Sequence, residues 1–161
     1  MGGFELEREK GFPSFLLPGF FACSPDQFLS VSGFLNILIG SNVHWWNAEA
    51  AYAAVTARML QEAGHRVYVL TRPGSENARR LREMGLTVIT EPDLNSKNPA
   101  VLLRSYIQLR RFLQDQRIEI VNGHRSEGFP LFALARRSLD SFRLVRTRGA
   151  SRRVVPHALN R

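Results

Sequence analysis

Between Phe34 and Arg146, five short apolar runs alternate with stretches of helical character. That alternation limits the fold more than any other feature, because strands separated by helices must cross over and pair in parallel. The runs are Phe34–Gly40, Arg66–Leu70, Leu86–Thr90, Ile118–Asn122 and Phe142–Arg146. The first helix is expected from Ala48 to Ala63, capped by Asn47, with Tyr52, Val55, Met59 and Ala63 on one face and Gly64 as its stop. Ser75 caps a second helix that reaches Met84 and stops at Gly85. Asn98 followed by Pro99 starts a third, running to Gln114. Leu102, Tyr106, Leu109 and Leu113 form its apolar stripe, opposite Arg104, Gln108 and Arg111. Pro130 to Arg137 falls in a fourth. The expected fold is α/β: a Rossmann-like parallel sheet in the order 3-2-1-4-5, with helices on both faces.

Such a sheet carries its ligands outside the carboxyl ends of the strands, near the point where strand order reverses. Two segments place polar residues there. In IEIVNGHRSEG (Ile118–Gly128) an apolar run ends in His124, Arg125, Ser126 and Glu127, and in LVRTRG (Leu144–Gly149) another ends in Arg146, Arg148 and Gly149. A loop after the first strand adds Asn42, Trp45, Trp46 and Asn47. These three loops are expected to form one ligand surface. As a loop residue, His124 is expected to carry little core packing. Adjacent tryptophans cannot both be buried easily, so one is expected to line the cleft; a loop anchor packed on the domain is an equal alternative. His65 follows a helix-stopping glycine at the opposite sheet edge and is expected to be structural.

Charge points to an anionic partner. The net charge is +8, and beyond His124 nine arginines face only Glu127 and Asp140. A nucleotide diphosphate, an acidic glycan, a phospholipid surface or a nucleic acid would suit that asymmetry. The arginines lack interleaved aromatics and a recognition motif, which argues against nucleic acid. For Arg136 and Arg137, a solvated helix face is an equal explanation.

Several chemistries are disfavoured. The single cysteine, Cys23, excludes an internal disulfide. Histidines 44, 65, 124 and 157 have no metal-ligand spacing, so no metal is expected. The loop after the first strand reads GSNVHWWNAE, without the glycine pattern of a dinucleotide site, and TRPGS after the second strand offers no acid for a ribose. Glu49 in the first helical turn would repel a pyrophosphate there. There is no Walker motif.

Residues 1–33 show no clean periodicity. Pro13 and Pro18 interrupt their apolar run, which is too short to span a bilayer, and Glu5, Glu7 and Glu9 do not suit a signal peptide. They are expected to be an upstream extension that packs poorly or is disordered, with the domain occupying residues 34–161.

ILIGSN, the Trp-rich loop, LQEAGHRVYVLTRPGS, IVNGHRSEG, VRTRG and PHALNR occur in an order that resembles the N-terminal half of a GT-B glycosyltransferase. The likeness is to the retaining family 4 group that includes lipopolysaccharide-core and capsule enzymes, and it covers about residues 34–161. The chain departs from that pattern in two places: Trp46-Asn47-Ala48 stands where family members often carry two glycines, and Ala150 where an acid commonly follows. The resemblance implies sugar transfer from a nucleotide-sugar donor to a glycan or glycolipid acceptor, with no resident cofactor or metal. It implies that His124 reaches toward the transferred sugar as the catalytic residue. It also implies that a C-terminal domain holding most of the donor is missing, so that this chain alone is inactive. The acceptor would meet Asn42, Trp45, Trp46, Asn47, Arg125, Ser126, Glu127, Arg146, Arg148 and Gly149. A cytoplasmic protein, peripheral on an anionic inner-membrane face, fits the basic flank. The alternative is a non-catalytic Rossmann-like domain that binds a nucleotide or another anionic ligand.

Overall fold

The computed structural model describes residues 33–94, 96–125 and 128–149. They form β1 (Asn36–Gly40), α1 (Ala48–Glu62), β2 (Arg66–Leu70), α2 (Glu76–Glu83), β3 (Thr87–Ile89), α3 (Pro99–Asp115), β4 (Ile120–Gly123), α4 (Phe129–Ser138) and β5 (Arg143–Arg146). All five strands are parallel, in the order β3-β2-β1-β4-β5. Both the expected order and the switch point between β1 and β4 are therefore present. The expected extension over residues 1–33 lies, but for Gly33, outside the described residues.

Local chemistry explains where the helices begin and end. The side-chain oxygens of Asn47, Ser75 and Asn98 accept hydrogen bonds from the backbone N–H groups of Ala50, Ala78 and Ala100. Each cap satisfies a donor that no helical carbonyl can reach, and contributes about 1 kcal/mol. Pro99 occupies the first turn of α3, where its missing N–H costs nothing. Gly64 and Gly85 follow α1 and α2 at φ of 90° and 75°, left-handed geometry that reverses the chain cheaply only at glycine.

Side chains alternate across the sheet and build two cores. On one face Leu38, Leu70 and Val121 pack with Leu109 and Leu113 of α3 and Phe132 of α4. On the other, Ile37, Ile39, Val67 and Val69 meet Ala53, Ala54 and Ala57 of α1 and Leu81 of α2. The α1 contact corrects an expectation. Tyr52, Val55 and Met59 do share a face, but it is exposed; the buried face is the alanine stripe Ala50, Ala53, Ala54 and Ala57. Small residues let the helix axis approach the sheet closely, so the larger apolar residues are turned outward. In α3 the expected stripe holds: Leu109 and Leu113 are buried, and Leu102 and Tyr106 are half-buried. Phe34 is also exposed and precedes β1 rather than opening it.

Candidate active-site edge at the carboxyl ends of β1, β4 and β5

Strands β1, β4 and β5 are each prolonged by one further ladder bond. Ser41 N–H donates to the Leu70 carbonyl, His124 N–H to Gly40, and Thr147 N–H to Gly123, at 2.9, 3.0 and 3.0 Å. The backbones of Ser41, His124 and Thr147 are therefore held as firmly as strand residues, although each stands at the start of a loop. This edge brings together the loops expected to form the ligand surface.

His124 sits at its centre. It is only 3% exposed, which overturns the expectation of an open loop residue with little packing. The extra ladder bond to β1 draws it down onto the sheet. Burial lowers its pKa below the ordinary 6.5, because the charged imidazolium loses its hydration there. His124 Nε2 lies 3.3 Å from Asn122 Nδ2. Asn122 Oδ1 in turn accepts from Thr147 Oγ1 at 2.9 Å. His124 Nδ1 is buried and has no hydrogen-bond partner among the described residues. The Tyr52 ring, tilted by 53°, stands 5.7 Å from the imidazole.

The loop after β1 is held from below. Asn77, fully buried on α2, donates through Nδ2 to the Ser41 carbonyl at 3.0 Å and to Thr71 Oγ1 at 2.9 Å. That cross-link joins the ends of β1 and β2. Beyond it, Asn42 is buried. The two tryptophans divide as their adjacency requires. Trp46 is half-buried against the α1–α2 core beneath the Arg80 guanidinium, 5.1 Å from its ring. Trp45 is 69% exposed, with His44 at its edge. Asn47 commits its side-chain oxygen to the α1 cap.

The charged residues are mostly engaged. Arg125 forms a 3.5 Å ion pair with Glu49, which ties the loop after β4 to the first turn of α1. Glu49 thus has a cationic partner at the helix start. Arg146 stacks over the Phe129 ring at 4.8 Å. Arg136 pairs with Asp140 and donates to the Leu139 carbonyl, so it braces the end of α4 rather than offering itself to a ligand. Arg148 and Gly149 are exposed. Ser126 and Glu127 lie outside the described residues. His65, at the opposite edge, accepts the Leu35 N–H through Nδ1, a structural role as expected.

Two glycines shape the floor of this edge. A Cβ on Gly40 would come within 2.8 Å of Phe132 Cε2. Gly128 adopts φ of 80° ahead of α4, and a Cβ there would fall 2.5 Å from Leu94 Cδ1. Thr147 belongs to the expected loop Thr147–Gly149, whereas Tyr52 and Asn122 were not expected in the site. The available signal was position: Asn122 lies within β4 two residues before His124, and Thr147 is the first residue past β5. Among the described residues, no group of histidine, cysteine or acidic side chains could hold a metal.

The family model for Glycosyltransferase Family 4 matches residues 50–148, well over half of the chain. No curated protein is matched. Among solved structures, a glycosyltransferase from Rickettsia africae is similar with a TM-score of 0.57 at 18% identity, over 70% of this chain and 29% of that one. MurG of Acinetobacter baumannii is similar with a TM-score of 0.59 at 15% identity, over 72% and 36% of the two chains. The spinosyn forosaminyltransferase SpnP is similar with a TM-score of 0.52 at 22% identity, over 72% and 31%. At these identities the likeness is one of fold, and the chain spans about a third of the length of the proteins it matches. The five-stranded Rossmann-like domain, with its carboxyl edge built around His124, belongs to Glycosyltransferase Family 4 as the N-terminal domain of a GT-B glycosyltransferase.

Proposed function

We propose that this chain is the acceptor-side half of a glycosyltransferase that moves a sugar from a nucleotide-sugar to a cell-envelope glycan, such as a lipopolysaccharide core. One observation carries the reading: within a Family 4 domain, a buried neutral histidine stands at the carboxyl edge where strand order reverses. His124 meets the transferred sugar. Trp45 offers an aromatic face, and Arg148 a charge, to an anionic acceptor. Asn42, Trp46, Asn47, Arg125, Arg146 and Gly149 shape the surrounding surface. Family membership and likeness to a forosaminyltransferase support sugar transfer as the reaction class.

In this reading a second domain completes the cleft, so that the isolated chain does not turn over substrate, since reacting groups must be held together. Catalysis needs no resident cofactor or metal. Among the described residues, no helix is long and apolar enough to cross a membrane. The basic flank instead rests against the anionic cytoplasmic leaflet.

The test is a transfer assay on the complete protein with a panel of nucleotide-sugars and lipopolysaccharide-core acceptors. Transfer that falls at least tenfold in His124→Asn, with raised acceptor KM in Arg148→Ala, is the expected result. Transfer that both variants leave at the wild-type rate and affinity would remove this edge from the reaction. Binding of a nucleotide or anion without transfer would favour the non-catalytic alternative.

A further inference from the structure

We propose that Thr147 and Asn122 form a hydrogen-bond relay that fixes His124 as the Nδ1–H tautomer, making its imidazole a hydrogen-bond donor to a ligand oxygen rather than a proton acceptor. The sugar identity of that oxygen rests on the function proposed above; the relay does not.

Asn122 Oδ1 can only accept, so the Thr147 hydroxyl at 2.9 Å must donate to it. That bond orients the amide and turns Asn122 Nδ2 toward His124 Nε2 at 3.3 Å. An amide nitrogen can only donate, so Nε2 must present its lone pair. A neutral imidazole whose Nε2 is an acceptor carries its hydrogen on Nδ1. Burial keeps the ring neutral near pH 7.

All three residues are held rigidly. His124 and Thr147 are anchored by ladder bonds to Gly40 and Gly123, and Asn122 lies within β4. The relay therefore spans β4 and β5 at the point where both strands end. At its far end is His124 Nδ1–H, a buried donor with no partner among the described residues. Leaving such a donor unmatched is costly, and an acceptor oxygen delivered by a ligand relieves that cost. The neighbouring Tyr52 ring is exposed on the outer face of α1 and can change rotamer without disturbing the alanine core beneath it. Asn122 and Thr147 are thus positioning residues: they act through His124.

The reverse arrangement has a different signature. With the amide turned over, Oδ1 would face the ring and the hydrogen would sit on Nε2. Long-range ¹⁵N–¹H NMR spectra of the 161-residue chain, with His124 assigned by its loss in His124→Gln, distinguish the two at pH 7.5. The expected pattern shows a protonated Nδ1 and an unprotonated Nε2. In Asn122→Asp the carboxylate only accepts, and the pattern should invert to Nε2–H. In Thr147→Val the amide loses its orienting donor, and both tautomers should appear. A protonated Nε2 in the wild-type chain would overturn the relay, whether or not the variants fold. An unchanged Nδ1–H pattern in folded Asn122→Asp would overturn it as well. Because these spectra need neither donor nor acceptor sugar, they decide the relay independently of whether the complete protein transfers sugar.

Discussion

The packing of Gly40 against Phe132 gives a direct test of how tightly the floor of the site is built. Gly40 ends β1, and its carbonyl accepts the His124 N–H. In Gly40→Ala the new methyl would lie 2.8 Å from Phe132 Cε2 and 3.0 Å from Cζ. Carbon atoms settle at about 3.5 Å or more, so the overlap is roughly 0.7 Å. Phe132 is 1% exposed and packs in the α3–α4 core, so its ring has no free volume into which to turn. Overpacking of this kind costs about 1–3 kcal/mol. Alanine also restricts the unfolded chain, which returns roughly 0.4–1 kcal/mol. The net loss should be centred on about 1.3 kcal/mol, read as a lower urea midpoint at unchanged slope. Phe132→Leu removes the offending ring edge and is itself destabilising through the cavity it leaves. In the double variant the alanine methyl fills part of that cavity. The two changes should therefore be less harmful together than their sum, with a coupling of at least about 0.5 kcal/mol. A neutral Gly40→Ala, or strict additivity in the cycle, would refute this account of the packing.

His124 makes stability depend on pH. Its folded pKa is lowered by burial, whereas the unfolded value is 6.5. Well above pH 6.5 the ring is neutral in both states and contributes no slope; as pH falls through 6.5 the unfolded chain binds the proton first, so stability should fall with acid by up to about 1.4 kcal/mol per pH unit until the folded histidine also titrates. Urea unfolding between pH 5 and 7 should show a shallower slope for His124→Gln than for the wild-type chain, and parallel curves would contradict the assignment. The two tryptophans should separate sharply. Trp46→Ala is expected to cost about 1–3 kcal/mol through lost core contact, and Trp45→Ala less than about 0.5 kcal/mol, by thermal or urea unfolding.

The architecture is legible in the residues themselves. Asn47, Ser75 and Asn98 announced the helix starts, and Gly64 and Gly85 the stops, because capping and left-handed turns depend on the residues at those positions. Five apolar runs between such helices leave a parallel sheet as the way to satisfy their backbones, and the 3-2-1-4-5 order places Asn42, His124 and Arg148 on or beside one edge. What the sequence could not determine was which face of α1 turns inward, because Ala53-Ala54-Ala57 and Tyr52-Val55-Met59 are both apolar stripes at helical spacing. Only the closeness of the sheet decides between small and large residues. Nor could it show that His124 is buried, that Arg125 meets Glu49, or that Thr147, Asn122 and His124 line up. Those contacts join β4, β5 and α1 across 25 and 76 positions of sequence. They exist because parallel pairing brings strand ends together in space, and no local pattern along the chain records which ends will meet.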